Sequence, residues 1–404
     1  MNLHYQLRCT LARVFARVRG LAPVAQASAF IPGTLLLALA VLSGGCVTAP
    51  STPELRETQA VLPTARPGVI ADGRARFRGV FCTVARTHGI QQALSEDTCD
   101  ALLWRLADEA ASEQPTAAPP LDTRLQVFIV GGAFSDCFGA ASIAYRDGVA
   151  ALAAAGVNTS EIPISGRSSA AYNARSIADA LTSTPDGPIV LLGYSKGTVD
   201  ILEFLANYPE LAGRVAAVIS VAGPVYGSQL AERGDWAYDT FLQHAFSGRC
   251  DPGDGGVLDS LLPEGRQQWL AAHPLPEHIR YYSLLAFATG EHMARALGPS
   301  WKILAATDPR NDGQITIAEG VLPGSTLLGY ANTDHWGVAI NIEEELSFLA
   351  GRADETPYPR GALFEALVRY VSDDLRSLGG AVVEHTPGPT PQMTTVAESG
   401  ERTQ

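Results

Sequence analysis

Five short apolar runs punctuate the middle of this chain: LQVFIV (125–130), PIVLLGY (188–194), VAAVISVAG (215–223), RYYSLLAFA (280–288) and STLLGYA (325–331). Continuous apolar runs suit strands buried on both faces, and strands that alternate with helices pair in parallel beneath helices on either side. The stretches between them read accordingly, with an Ala-rich helix over about 139–155, a weak strand near 157–164, a helix near 169–183 and another to about 206. The fold class is therefore α/β, a mostly parallel central sheet with helices on both faces. The alternation breaks after residue 223. The stretch over about 225–279 carries Trp236, Tyr238, Phe241, Phe246 and Trp269 without a strand pattern, and reads as an insertion. A helix near 360–378 closes the domain, which spans 121–385. Ahead of it, 75–120 reads as a helical segment, strongest in CDALLWRLADEAA (99–111) and ended by PTAAPP (115–120). No internal repeat is visible, which excludes a solenoid.

Residues 1–45 read as a signal peptide, to be set aside before the fold. Four arginines (Arg8, Arg13, Arg17, Arg19) precede the apolar run FIPGTLLLALAVLSGG, and Cys46 follows. Leu42-Ser43-Gly44-Gly45-Cys46 resembles the lipobox of bacterial lipoproteins. The resemblance implies cleavage before Cys46, lipid on its sulfur and, with Val47 next, the outer membrane. The alternatives are an ordinary signal peptide, giving a periplasmic or secreted protein, and a single membrane helix; for the last, the run is shorter than the ~20 residues a span needs. Residues 46–74, rich in Pro, Thr and Ala, read as a tether, and the polar tail 386–404 as disordered. Across the whole chain, 46% hydrophobic against 18% charged residues argues for a folded core over most of the length. A net charge of −13 provides no basic footprint for nucleic acid, so membrane contact is expected through the anchor alone.

Four cysteines follow Cys46: Cys82, Cys99, Cys137 and Cys250. An even number in an exported chain favours two disulfides. The pairing is not readable from sequence; Cys82–Cys99 closes a short loop and leaves Cys137–Cys250. Zinc is the alternative, but no CxxC spacing supports it.

The chemistry centres on Gly193-Tyr194-Ser195-Lys196-Gly197, directly after an apolar strand and directly before the amphipathic TVDILEFLANY. In a G-x-S-x-G elbow the serine occupies a strained strand-to-helix turn, and the flanking glycines leave room for it. The helix N-terminus behind the serine aims backbone N–H groups and a positive dipole end at a developing oxyanion. The motif recurs by chance in glycine-rich chains, so its strand–helix context carries the assignment.

Three more segments extend the pattern. VAAVISVAGPVYGSQLAE resembles a strand and following turn of bacterial lipases, Asn311-Asp312-Gly313 the NDG that carries their acid, and Asn332-Thr333-Asp334-His335-Trp336 their histidine loop. Over about 120–350 the chain resembles a lipase-like α/β-hydrolase, whose order Ser…Asp…His it shares. The resemblance implies Ser195 as nucleophile, His335 as base and Asp312 as the acid, with Asp308 of TDPRND as runner-up because it ends the short apolar run KILAAT. It implies an oxyanion hole from the backbone N–H of Lys196 and that of Ala133 in Gly131-Gly132-Ala133-Phe134, with Phe134 the next candidate. The Lys196 side chain reads only as a solvated surface cation.

Of the other histidines, His244, His273, His278 and His292 fall in or near the insertion, His4 in the leader, and His88 and His385 outside the sheet region. The insertion falls where lipases place a cap or lid, and its aromatics suit an acyl pocket or a small satellite core equally. DPGDGG (251–256) lacks the alternation of a calcium loop, and Gly337 stands where many such lipases carry a calcium-ligating Asp, so no metal or cofactor is expected. The function expected is hydrolysis of a small-molecule or lipid carboxylic ester with an apolar acyl group. The alternatives are an amidase, peptidase or acyltransferase with the same triad, and a catalytically dead binding module.

Overall fold

In a computed structural model of the protein, the described residues are 70–90, 99, 101–106, 109–112, 115–137, 139–233, 251–341 and 357–381. The signal segment with Cys46, most of the tether, Trp236, Tyr238, Phe241, His244, Phe246, Cys250 and the tail with His385 lie outside them.

Each of the five apolar runs is a strand. β1 (Ala71–Asp72) precedes α1 (Arg74–Thr87), and β2 (Gln126–Val130) precedes α2 (Arg146–Ala154). Then come β3 (Asn158–Ile162), α3 (Ala170–Thr182), β4 (Ile189–Tyr194), α4 (Lys196–Asn207) and β5 (Val215–Val221). The insertion contributes α5 (Pro263–Ala272), and β6 (Arg280–Phe287), α6 (Gly298–Ala305), β7 (Thr326–Asn332) and α7 (Arg360–Ala381) complete the order. The seven strands form one sheet, β1-β7-β6-β5-β4-β2-β3, in which every pairing is parallel.

Alternate residues of the central strands feed two cores, which is why their sequences are apolar throughout. Val127, Ile129, Val190 and Leu192 join Phe77, Phe81, Leu152, Phe364 and Leu367 of α1, α2 and α7. Phe128, Val130, Ile189 and Leu191 join Ile177, Leu181, Ile201 and Leu205 of α3 and α4. The order in which strands are added reverses at β2: β3 lies on one side of it and β4 on the other, and β5, β6 and β7 continue away. In open parallel sheets, ligands bind outside the carboxyl ends of the strands at such a switch point.

Three segments differ from the sequence reading. The helical spacing of 99–111 does not give a helix over 101–106. Leu103 instead forms an antiparallel bridge with Ala331, and Trp104 N–H donates to Tyr330 O at 2.8 Å, covering the outer edge of β7. The Cys82–Cys99 disulfide and the buried Arg78 guanidinium, which donates to Leu103 O and Trp104 O at 2.8 Å each, hold it there. The Ala-rich helix starts only at Arg146, because Tyr145 sits at φ 56° with its N–H on Ala339 O. KILAAT begins in α6 and ends in the turn after it, so Asp308 does not follow a strand. Cys137 is disulfide-bonded as well.

Candidate active site

Ser195 stands between β4 and α4 at φ 54° and ψ −131°, a backbone state that only a tightly held turn keeps for a non-glycine residue. Its neighbours explain the glycines. A Cβ on Gly193 would lie 2.5 Å from Thr198 Cα, and one on Gly197 would lie 2.1 Å from Val130 O. The turn therefore closes only because both positions lack a side chain.

His335 reaches the serine from the loop after β7. Its Nε2 lies 2.8 Å from Ser195 Oγ and its Nδ1 lies 2.6 Å from Asp312 Oδ2. Asp312 is fully buried, and its other oxygen accepts the backbone N–H groups of Gln314 and Ile315 at 2.8 Å each. Its own carbonyl accepts the His335 N–H at 2.9 Å, so two loops are locked together. Tyr194, which sequence reasoning passed over, donates its hydroxyl to His335 O at 2.8 Å and tilts its ring against the imidazole. Asp334 accepts from Ala294 N–H and Gly337 N–H and shapes the loop. Asp308, by contrast, is clamped by Arg310 at 2.9 and 3.0 Å and lines a different cavity.

The loop after β2 passes directly over the serine: a Cβ on Gly132 would lie 2.9 Å from Ser195 Cβ. Phe134 N–H is already donated to Gly166 O at 2.9 Å, which removes Phe134 as an oxyanion donor. The Ala133 and Lys196 N–H groups have no acceptor among the described residues. The Lys196 side chain is not a solvated surface cation. It is fully buried, with Nζ 2.5 Å from Asp200 Oδ1, because a partner one helical turn on compensates the charge. Burial pushes the Asp200 carboxyl up, against the opposing pull of Lys196.

The cavity in front of Ser195 is lined by Leu230, Leu258, Leu261, Ile315, Trp336 and Ile340 among others, and by no Asp, Glu, Lys or Arg among the described residues. Insertion residues thus border the site, but Trp269 does not. It stacks on His273 and lies under the Arg266 guanidinium at 4.6 Å, a structural role. The remaining described histidines serve elsewhere: His88 pairs with Glu365, His278 with Ala212 O and His292 with Thr289. In DPGDGG, Asp254 caps the start of α3 through the N–H and hydroxyl of Ser169. Among the described residues no three His, Cys, Asp or Glu side chains cluster as metal ligands.

A metagenomic carboxyl esterase of known structure is 36% identical to this chain, with a TM-score of 0.70 over 80% of this chain and 99% of its own. The chain belongs to the carboxyl esterases of the α/β-hydrolase fold. A Bacillus licheniformis lipase in mature form is 20% identical, with a TM-score of 0.42 over 59% of this chain and 93% of its own. Lipase 1 of Pelosinus fermentans is 12% identical, with a TM-score of 0.44 over 61% and 98%. No protein-family model and no curated protein matches the sequence. Within the α/β-hydrolases, this chain presents its serine, histidine and aspartate from the carboxyl ends of the sheet beside the switch point. The contacts of Tyr194, Asn173 and Asp200 carried no motif of their own. Only the i,i+4 spacing of Lys196 and Asp200 was there to signal a pair.

Proposed function

We propose that the protein is a serine carboxylic-ester hydrolase acting on uncharged esters with an apolar acyl group. What supports this is the relay Asp312–His335–Ser195, at 2.6 and 2.8 Å, opening on a cavity that no charged side chain lines among the described residues. Ser195 Oγ attacks the acyl carbonyl while His335 Nε2 takes its proton. The Asp312 carboxylate holds Nδ1–H and stabilises the imidazolium that forms. The negative charge arriving on the carbonyl oxygen is met by the N–H groups of Ala133 and Lys196, fixed beforehand and at the positive end of α4. As the tetrahedral intermediate collapses, His335 returns the proton to the leaving alcohol. Water, activated by the same imidazole, then releases the acid from the acyl-enzyme.

Fluorophosphonate is expected to label the protein once, and Ser195→Ala to lose both the label and turnover of p-nitrophenyl esters. Comparing those esters by chain length with the matching anilides sets the acyl preference; faster cleavage of anilides than of esters would overturn the ester assignment in favour of an amidase. The lipid anchor belongs to the same proposal: palmitate incorporated into the wild type and lost in Cys46→Ala is the expected result, and equal labelling of both refutes it.

A further inference from the structure

The two candidate oxyanion donors sit on different elements, Lys196 at the start of α4 and Ala133 in the loop after β2. A buried polar chain joins those elements behind the serine. Lys196 Nζ meets Asp200 Oδ1 at 2.5 Å, and Asp200 Oδ2 accepts from Asn173 Nδ2 at 2.9 Å. The Asn173 amide then takes both backbone groups of Ser165, donating to its carbonyl at 3.0 Å and accepting its N–H at 3.1 Å. The next residue, Gly166, holds the donor loop: its carbonyl accepts Phe134 N–H at 2.9 Å and its N–H donates to Asp136 Oδ1 at 3.1 Å. A Cβ on Gly166 would lie 2.5 Å from Phe134 N, so the contact is as close as backbones allow. Lys196, Asp200 and Asn173 are fully buried.

Stability does not account for this chain. A cation at the first position of a helix faces the wrong end of the dipole, and a buried ion pair is often no better than apolar side chains of the same volume. An oxyanion hole, however, works only when both donors are held at one separation before the charge develops. We infer that Lys196, Asp200 and Asn173 are positioning residues that set the spacing of the Ala133 and Lys196 N–H groups. The inference rests on the serine-hydrolase reading above.

The test uses the full chain with Lys196→Met/Asp200→Leu, which removes both charges and leaves neither unpaired, and with Asn173→Ala, which keeps the ion pair but cuts it from Ser165. For both, Tm, kcat and KM on p-nitrophenyl butyrate and the Ki of a trifluoromethyl ketone, whose adduct carries an oxyanion, are measured. The expected result is a folded protein with KM within about twofold of wild type and kcat lower by about 10–100-fold. The ketone Ki is expected to rise in parallel, as it must if the loss lies in the transition state. A purely structural role predicts instead that the charge-free double variant recovers kcat together with Tm. A Ser195-dependent wild type whose two folded variants both keep kcat within twofold overturns this inference alone. Turnover that survives Ser195→Ala overturns the hydrolase reading and this inference with it.

Discussion

Replacing Asp312 by Asn tests the relay at the bond on which the base depends. The carboxylate oxygen facing His335 Nδ1 at 2.6 Å accepts a hydrogen bond, which keeps the proton on Nδ1 and leaves Nε2 free to receive the Ser195 proton 2.8 Å away. The other oxygen accepts two backbone N–H groups at 2.8 Å. Asn keeps that second interaction through its carbonyl and so turns its NH2 toward the imidazole. Nδ1 must then accept, the ring proton moves to Nε2, and the base is blocked by the wrong tautomer. Such a change costs serine hydrolases about 10⁴-fold in kcat, or ~5.4 kcal/mol of transition-state stabilisation. The side chain is isosteric and its backbone contacts persist, so Tm is expected to move by only a few degrees. Asp308→Asn is the control, since its carboxylate serves Arg310 and faces another cavity. The assay is kcat and KM on p-nitrophenyl butyrate, with the rate of fluorophosphonate labelling. An Asp312→Asn enzyme that keeps more than a tenth of wild-type kcat, or an Asp308→Asn lesion as severe, refutes the assignment.

Two further outcomes follow from local geometry. Gly132→Ala introduces a Cβ 2.9 Å from Ser195 Cβ and 3.3 Å from Oγ; kcat/KM is expected to fall by at least about tenfold, with roughly 1–3 kcal/mol of stability lost, and wild-type kinetics would contradict the close approach. Burial pushes the Glu161 carboxyl up to about 7 from 4.5; the native state therefore holds its proton more tightly, and stability falls as pH rises from 4.5 through 7. Glu161→Gln should accordingly stabilise the protein at pH 8, on the order of 1–2 kcal/mol once solvent screening of this half-buried group is allowed for, and much less at pH 4. Thermal unfolding that gives the same gap at both pH values excludes the shift.

What was legible in the sequence is what local chemistry determines. The strands were visible because both faces of a covered parallel sheet demand apolar residues, and Ser195 was visible because its turn demands glycine at 193 and 197. The segment 101–106 was not, since the spacing of Leu102, Leu103 and Leu106 suits a helix equally well. Its extended course along β7 depends on Arg78, more than twenty residues away, and on a disulfide whose pairing sequence leaves open. The burial of Lys196 was hidden for a related reason: charge is readable in a sequence, but the enclosure that makes a charge matter is tertiary. The left-handed Tyr145 that delays α2 is likewise held by Ala339 O, almost two hundred positions later.

The distribution of backbone strain follows the same geometry. Phe134, Ser195 and Ala222, at φ 60°, 54° and 48°, lie at the carboxyl ends of β2, β4 and β5, which are adjacent in the sheet. At about 1–3 kcal/mol each, their combined cost is a large share of the ~5–15 kcal/mol by which a folded domain is stable. None of the three is left to a free loop. Phe134 N–H donates to Gly166 O, Ser195 N–H to Val221 O and Ala222 N–H to Leu284 O, each at 2.9 Å. Val130, Leu192 and Ile219 in the strands behind them are completely buried and cannot shift without opening the core. A rigid sheet thus holds the strained residues at the switch point, where Phe134 and Ser195 border one cavity. Strain of this kind persists only where the surroundings over-determine it, so the two-sided core is what keeps Ser195 within reach of His335.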